Sequence, residues 1–231
     1  MSLFISRLQL ARDPSLDALS ALLNPPGDGP QRDAHHRLVW SAFAGDPAAA
    51  RDFLWRAEGE GRFITLSRRA PNAGALFEPP EVKAFTPDLR PGDRLAFALR
   101  ANATRTEKTG TRSAGGAEKK RHIDLVMDAI HPLKQGRAEA RMAAARQVAE
   151  GWLAGQGARH GFAPARVEVG DYSVAVLPGH RGKRKGQPQF GILDLTGTLT
   201  VTEPALFLAA IAAGFGRAKA FGCGLMLIRR A

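Results

Sequence analysis

The chain has 231 residues, 33 Lys+Arg against 22 Asp+Glu, 44% hydrophobic residues and a single cysteine. At roughly 100–200 residues per domain it holds one large domain or two compact ones, and its apolar fraction excludes wholesale disorder. The lone Cys223 excludes an internal disulfide framework and a cysteine-built zinc cage. No run approaches the ~20 apolar residues of a membrane-crossing helix, and the first residues lack the charge and apolar pattern of a secretory signal. A soluble, cytoplasmic protein is expected. The formal charge of +11 attracts polyanions, nucleic acid first and anionic membrane second, although an Arg- and Ala-rich composition also follows from genomic base content. An aromatic content of 7% is low for a long single-strand stacking platform and leaves duplex or hairpin recognition.

Residues 2–10 alternate in part and predict a first strand, with Leu3, Ile5 and Leu8 apolar beside Arg7 and Gln9. After a Pro/Gly-rich loop at 24–30, Asp33 is placed to cap a helix over 34–44. A second short helix is expected over 47–58, with Pro47 at its first position and Phe53, Leu54 and Ala57 on its apolar face. Strands are expected at 62–68, 82–85 and 95–100. Strand, helix, helix and three strands come close to a ferredoxin-like β-α-β-β-α-β order with an irregular second half.

Residues 104–121 change character, with Arg105, Lys108, Arg112, Lys119, Lys120 and Arg121 among Gly, Thr and Ser. Such a segment buries no core and is expected to be a mobile loop or interaction arm. A helix follows at 137–153, where Met142, Ala145, Ala149 and Trp152 recur at three and four. Strands at 167–177 and 190–201 flank a basic turn carrying Arg181, Lys183, Arg184 and Lys185. A helix at 204–213 and a strand at 225–228 close the chain. The expected fold is α+β: two tandem ferredoxin-like (RRM-like) modules, 1–103 and 104–231, with the opening strand of the second in or before the basic arm.

Gly214-Phe-Gly-Arg-Ala-Lys-Ala-Phe-Gly-Cys-Gly224 places four glycines in eleven residues, with Arg217 and Lys219 among them. Glycine backbone can approach a bound anion closely. The spacing fits neither a P-loop nor a dinucleotide fingerprint. A tight helix-to-strand connection needs glycine just as much, so the run alone names no ligand.

This run resembles the glycine-rich loop of the CRISPR repeat-RNA endoribonucleases. Three further stretches resemble the CasE branch, the crRNA-processing subunit of type I-E Cascade: His36-Arg-Leu-Val-Trp40, Asp46-Pro-Ala-Ala-Ala-Arg-Asp-Phe-Leu54 and Phe97-Ala-Leu-Arg-Ala-Asn102. All four follow the family's order over nearly the whole chain. The resemblance implies metal-independent cleavage of CRISPR precursor RNA at the base of a repeat hairpin. The 2′-OH upstream attacks the scissile phosphate, leaving a 2′,3′-cyclic phosphate and a 5′-OH, and the mature crRNA stays bound within Cascade. Its partners are then the repeat hairpin RNA and the other Cascade subunits, with no cofactor, metal or membrane. The nucleophile belongs to the substrate, so the protein supplies geometry, proton transfer and charge stabilisation.

Helical periodicity, at about 100° per residue, puts His35 near the Leu38/Ala42 edge of the apolar arc and His36 near Val39, Trp40 and Phe43. Either is open as a packing histidine. By resemblance His36, four residues before Trp40, takes the catalytic position. Some relatives carry a tyrosine three residues earlier, where Asp33 stands here; Asp33 would cap the helix, or orient His36 and favour its imidazolium form. Arg37 and Lys219 are candidates to hold the scissile phosphate. Arg181, Lys183, Arg184 and Lys185 would enter the RNA groove or stay solvated. Arg100, Asn102, Arg105 and Arg217, with Gly214, Gly216, Gly222 and Gly224, complete the expected RNA contacts. His122, His131, His160 and His180 lack the paired spacing of a metal site. A non-catalytic hairpin-binding scaffold of the same architecture is the alternative; it would not need His36 to titrate beside the scissile bond. A metal-dependent nuclease would want clustered carboxylates, and the sequence shows no such cluster.

Overall fold

Partial alternation at the N-terminus does yield a strand: in β1 (Phe4–Gln9) Ser6 and Leu8 are buried while Arg7 points to solvent. The computed structural model describes residues 2–12, 28–43, 51–72, 74–112, 115–176 and 189–231. Helix α1 (Asp28–Ser41) follows, then β2 (Phe53–Gly59), β3 (Arg62–Ser67) and β4 (Glu81–Ala84). They form an antiparallel sheet in the order β2-β3-β1-β4, with Ser6 opposite both Thr65 and Val82. This is the strand order of a ferredoxin-like sheet, built without a helix between β3 and β4 among the described residues.

Two expectations change here. Asp33 lies inside α1, which starts at Asp28, so it caps nothing and instead forms an i,i+4 ion pair with Arg37. The helix expected over 47–58 is, from Phe53 onward, strand β2; Pro47 lies outside the described residues. Phe53, Leu54 and Trp55 are all buried. Phe53 and Trp55 pack in the cluster with Leu38, Val39, Phe43 and Phe63, whereas Leu54 joins the main core on the other face. A strand between two layers buries both faces, so its apolar residues run consecutively and mimic a helix stripe.

Strand β5 (Arg94–Ala101) alternates cleanly, with Leu95, Phe97, Leu99 and Ala101 buried. The basic arm is an ordered hairpin, β6 (Thr104–Arg112) with β7 (Glu118–Asp124), rather than a loop. Its threonines favour extended backbone, and the ladder pairs main-chain groups without requiring a core. Short α2 (Leu125–Ile130) and long α3 (Arg137–His160) follow, then β8 (Phe162–Val176), β9 (Gln189–Val201), α4 (Pro204–Ala213) and β10 (Met226–Arg230). The second sheet runs β10-β5-β9-β8.

Strand β5 therefore opens the second module, β5-α3-β8-β9-α4-β10, and the β6–β7 hairpin and α2 are inserted after it. The sheets part between β4 and β5, ahead of residue 103 where the sequence reading divides the chain. The cause is register: Arg94–Ala101 pairs with Leu193–Thr200 on one side and Met226–Arg230 on the other. The fold is two tandem ferredoxin-like modules. Leu54 and Leu66 of the first sheet enter the same core as Leu95, Leu99, Phe215 and Leu225 of the second module. Each such buried side chain contributes about 1.5–3 kcal/mol relative to exposure, so the junction between modules is part of the fold's stability.

Candidate active site

Helix α1 sets His36 half-buried at this junction. Its ring centroid lies 6.4 Å from that of Trp40, one turn along, and 6.4 Å from that of Phe221 in the glycine-rich loop. His35 turns elsewhere, edge-on to Phe63 at 5.1 Å and Trp55 at 6.4 Å. Burial depresses the His36 pKa, the Arg51 charge depresses it further, and the upward pull of Asp33 is outweighed. Burial and Arg51 thus oppose the imidazolium form that Asp33 alone would favour.

The loop facing His36 is shaped by packing. Residues Lys219–Phe221 make one 3₁₀ turn, entered through Ala218 at φ 54. Trp55 Nε1 donates to Ala220 O at 3.2 Å, which ties the turn to β2. At Gly216 (φ +73) an added Cβ would lie 2.6 Å from Asn102 O, and at Gly214 (φ +77) 2.8 Å from Leu54. The amides of Gly214 and Gly224 are spent inside the protein, on Ala210 O at 2.8 Å and Arg100 O at 2.7 Å. These two amides therefore serve the close helix-to-strand connection, not an anion; Gly222 closes the 3₁₀ turn against Trp55.

Lys219 begins the turn and donates from Nζ to Ala213 O at 2.7 Å. Burial and the Arg51 charge lower its pKa. Arg51 is the residue that sequence reasoning missed. Half-buried just before β2, it acts electrostatically on both His36 and Lys219, and its Nη1 is buried without a hydrogen-bond partner among the described residues. Its neighbour Asp52 is engaged by Arg69 at 2.8 Å. The stretch from Asp46 to Leu54 contains Arg51 in plain view, but reading that stretch as a helix hid its position.

The other expected residues divide. Arg37 is exposed and paired with Asp33 on the outer side of α1. Arg100 is held by Asp194 at 2.9 Å and Asn102 is buried, donating to Gly191 O at 2.7 Å and Asp124 at 3.1 Å. Asn102 is part of the interior, where a buried polar side chain has to find partners, and Arg100 is part-buried beside it. Arg105 is exposed in ion pairs with Glu107 and Asp128. Arg217 is exposed, its amide bonded to Asn102 O at 3.3 Å, and its charge acts on His122 of the β6–β7 hairpin. Arg181, Lys183, Arg184 and Lys185 lie outside the described residues. Among the described residues no three His, Cys, Asp or Glu side chains gather as a metal ion would require, and no helix is long and apolar enough to cross a membrane.

A sequence model of the CRISPR associated protein family matches residues 3–230. The chain belongs to that family. Among curated proteins it is 27% identical over 198 residues to the "CRISPR system Cascade subunit CasE" of Escherichia coli K12, covering 83% of this chain and 88% of that protein. The resemblance to the CasE branch is thereby met. The fold is shared with a solved Cas6e from Escherichia coli K-12 (TM-score 0.62, 22% identity, 99% of this chain and 100% of that one). It is also shared with the CRISPR endoribonuclease Cse3 bound to 19-nt RNA (TM-score 0.64, 23% identity, 99% and 98%), and with Thermus thermophilus Cse3 bound to an RNA representing a pre-cleavage complex (TM-score 0.62, 22% identity, 99% and 100%).

Proposed function

We propose that this protein cleaves CRISPR precursor RNA at the base of the repeat hairpin, retains the product, and works as a subunit of Cascade in the cytoplasm. The carrying observation is His36, half-buried at the module junction, 6.4 Å from Phe221 of the turn that begins at Lys219, with Arg51 acting on both His36 and Lys219. Relatives named as an RNA-bound endoribonuclease and as a Cascade subunit support the substrate and the assembly.

A neutral imidazole takes the proton from the 2′-OH as that oxygen attacks phosphorus. Negative charge then grows on the phosphoryl oxygens. Arg51, whose buried Nη1 has no hydrogen-bond partner among the described residues, donates to those oxygens, and Lys219 adds a second positive charge. The P–O5′ bond breaks as O5′ takes a proton from water, leaving a 2′,3′-cyclic phosphate and a 5′-OH, and the proton that His36 accepted returns to solvent. Because the attacking oxygen is the substrate's own, the scheme requires no metal. The exposed Arg37, Arg105 and Arg217 extend the positive surface toward the stem. Arg100 and Asn102 act from within, by fixing the end of β5 on which the glycine-rich loop rests.

The test is cleavage of the end-labelled repeat hairpin in excess EDTA with analysis of the new ends. One cut, a cyclic phosphate and a 5′-OH are expected. A 5′-phosphate product, or full loss of cutting with EDTA, would refute the mechanism; tight binding with no cut would favour a scaffold.

A further inference from the structure

The inserted β6–β7 ribbon has two faces that differ in charge. Register places Arg105 opposite Ile123 and Glu107 opposite Arg121, then Thr106 opposite His122 and Lys108 opposite Lys120. Side chains alternate along a strand, so the first two pairs share one face and the last two the other. On the first face Arg105 is shared between Glu107 at 2.8 Å and Asp128 at 3.1 Å, and Arg121 has Glu107 across the ladder. On the second face Lys108 meets Glu118 at 3.2 Å, while Lys120 enters no ion pair among the described residues. Two lysines directly opposite one another repel. That face is therefore held at a cost which a bound polyanion removes.

Arg217 of the glycine-rich loop adds to the second face at its root, where it bridges to Asn102. Desolvation depresses the His122 pKa, and Arg217 and Lys120 depress it further, so two cations from separate elements face one ring. Lys108, Lys120, His122 and Arg217 are all exposed. Residues 104–112 and 118–122 are Thr, Arg, Glu, Lys, Gly and His only. The ribbon beyond Ile123 therefore offers neither an edge that enters lipid nor the apolar centre of a protein interface. It also lacks a Phe, Tyr or Trp on which the bases of a single strand would stack. What it offers is positive charge and threonine hydroxyls, the groups that meet phosphate oxygens. A duplex presents those phosphates in fixed rows and needs no stacking to order it. Its narrow major groove keeps side chains on the backbone.

We propose that the Lys108–Lys120 face of the β6–β7 ribbon docks the sugar–phosphate backbone of an RNA duplex, gripping the stem of the repeat hairpin without reading its sequence. The proposal rests on the hairpin-RNA reading above and deepens it. Arg217 stands two residues before Lys219, so the face continues outward from the proposed cleavage site along β7.

The test measures affinity for the repeat hairpin, for a plain RNA duplex and for a single strand, across roughly 50–200 mM salt. Replacing both lysines, Lys108→Ala with Lys120→Ala, should flatten the slope of log affinity against log salt by about two, one per lysine. Over that salt range the wild type should then lose roughly tenfold more affinity than the variant. The change should be the same for hairpin and plain duplex, and the cleavage rate of saturated hairpin should stay within a few-fold of wild type. Lys120→Ala alone should flatten the slope by about one; Arg121→Ala, its chain neighbour on the other face, should leave it unchanged. The proposal is overturned if the lysine variants keep the wild-type slope, if Arg121→Ala matches Lys120→Ala, or if the change is confined to the single strand. It is also overturned if the lysine variants keep every RNA affinity but fail to co-assemble with Cascade subunits, which would make the face a protein contact. A wild type that binds the plain duplex as tightly as the repeat hairpin would refute the repeat-hairpin reading, whereas a flattened slope on that plain duplex would still support the ribbon's role.

Discussion

Trp55 of the first sheet donates its Nε1–H across 3.2 Å to the carbonyl of Ala220 in the second module. Through that bond β2 holds the short turn bearing Lys219 and Phe221 against α1, so the position of His36 relative to Lys219 depends on contact between modules. Trp55→Phe keeps an aromatic body and removes the donor. A stability loss of about 1 kcal/mol is expected, with a larger loss of cleavage rate, roughly ten- to a hundredfold, and little change in hairpin affinity. Urea unfolding and single-turnover cleavage, measured side by side, check the split.

Arg51 is half-buried, and its Nη1 is buried without a hydrogen-bond partner among the described residues, an arrangement that an anion would complete. Arg51→Ala is expected to slow cleavage by roughly 10²–10³-fold, and Arg51→Lys to restore part of that, since lysine keeps the charge but loses the two-donor grip. Hairpin affinity should change far less than the rate. Single-turnover rates and filter-binding affinities give both numbers.

The pH profile follows from the sign of the His36 shift. Its pKa lies below the ordinary 6.5 because burial and Arg51 both oppose the charged form. A base that must be neutral then loses activity only as pH falls through that depressed value, so the rate should be flat across neutrality and decline on the acid side below 6.5. In Arg51→Lys the positive charge persists and the acid limb should stay; in Arg51→Ala it should move upward. A bell centred near neutrality in the wild type would contradict the assignment of His36 as base.

Asp124 carries a structural prediction independent of catalysis. Its carboxylate accepts from the amides of Val126 and Met127 at 3.1 Å, from Gly191 N at 2.8 Å, from Asn102 Nδ2 at 3.1 Å and from Tyr172 Oη at 3.3 Å. It thereby joins the inserted hairpin and α2 to β8 and β9. Asp124→Ala leaves several buried donors unpaired and should cost about 3 kcal/mol or more. Chemical denaturation checks this.

Much of the fold was legible because β5 alternates and α3 and α4 end on Gly161 and Gly214: β5, β9, α4 and β10 lie within a few residues of where the sequence pattern puts them. Strand β2 was not legible, since burial on both faces removes the alternation. The β6–β7 hairpin was not, since its ladder is made of main-chain bonds between residues whose side chains carry no core signal. The site shows the same division. His36 was reachable through the family's pattern and Lys219 through its place in the glycine-rich loop, whereas the pairing of Arg100 with Asp194 and of Asn102 with Asp124 leaves no mark in the sequence. Arg51 became visible only when β2 replaced the expected helix and brought the residue before it to the junction.

The most direct measurement is single-turnover cleavage of the repeat hairpin by wild type and His36→Ala in excess EDTA, with the affinity of each for the uncut RNA measured on the same preparations. The prediction is a single cut by the wild type, none by the variant, and affinities within a few-fold of each other. Undiminished cutting by His36→Ala would contradict it and place the proton transfer on another group, His35 first.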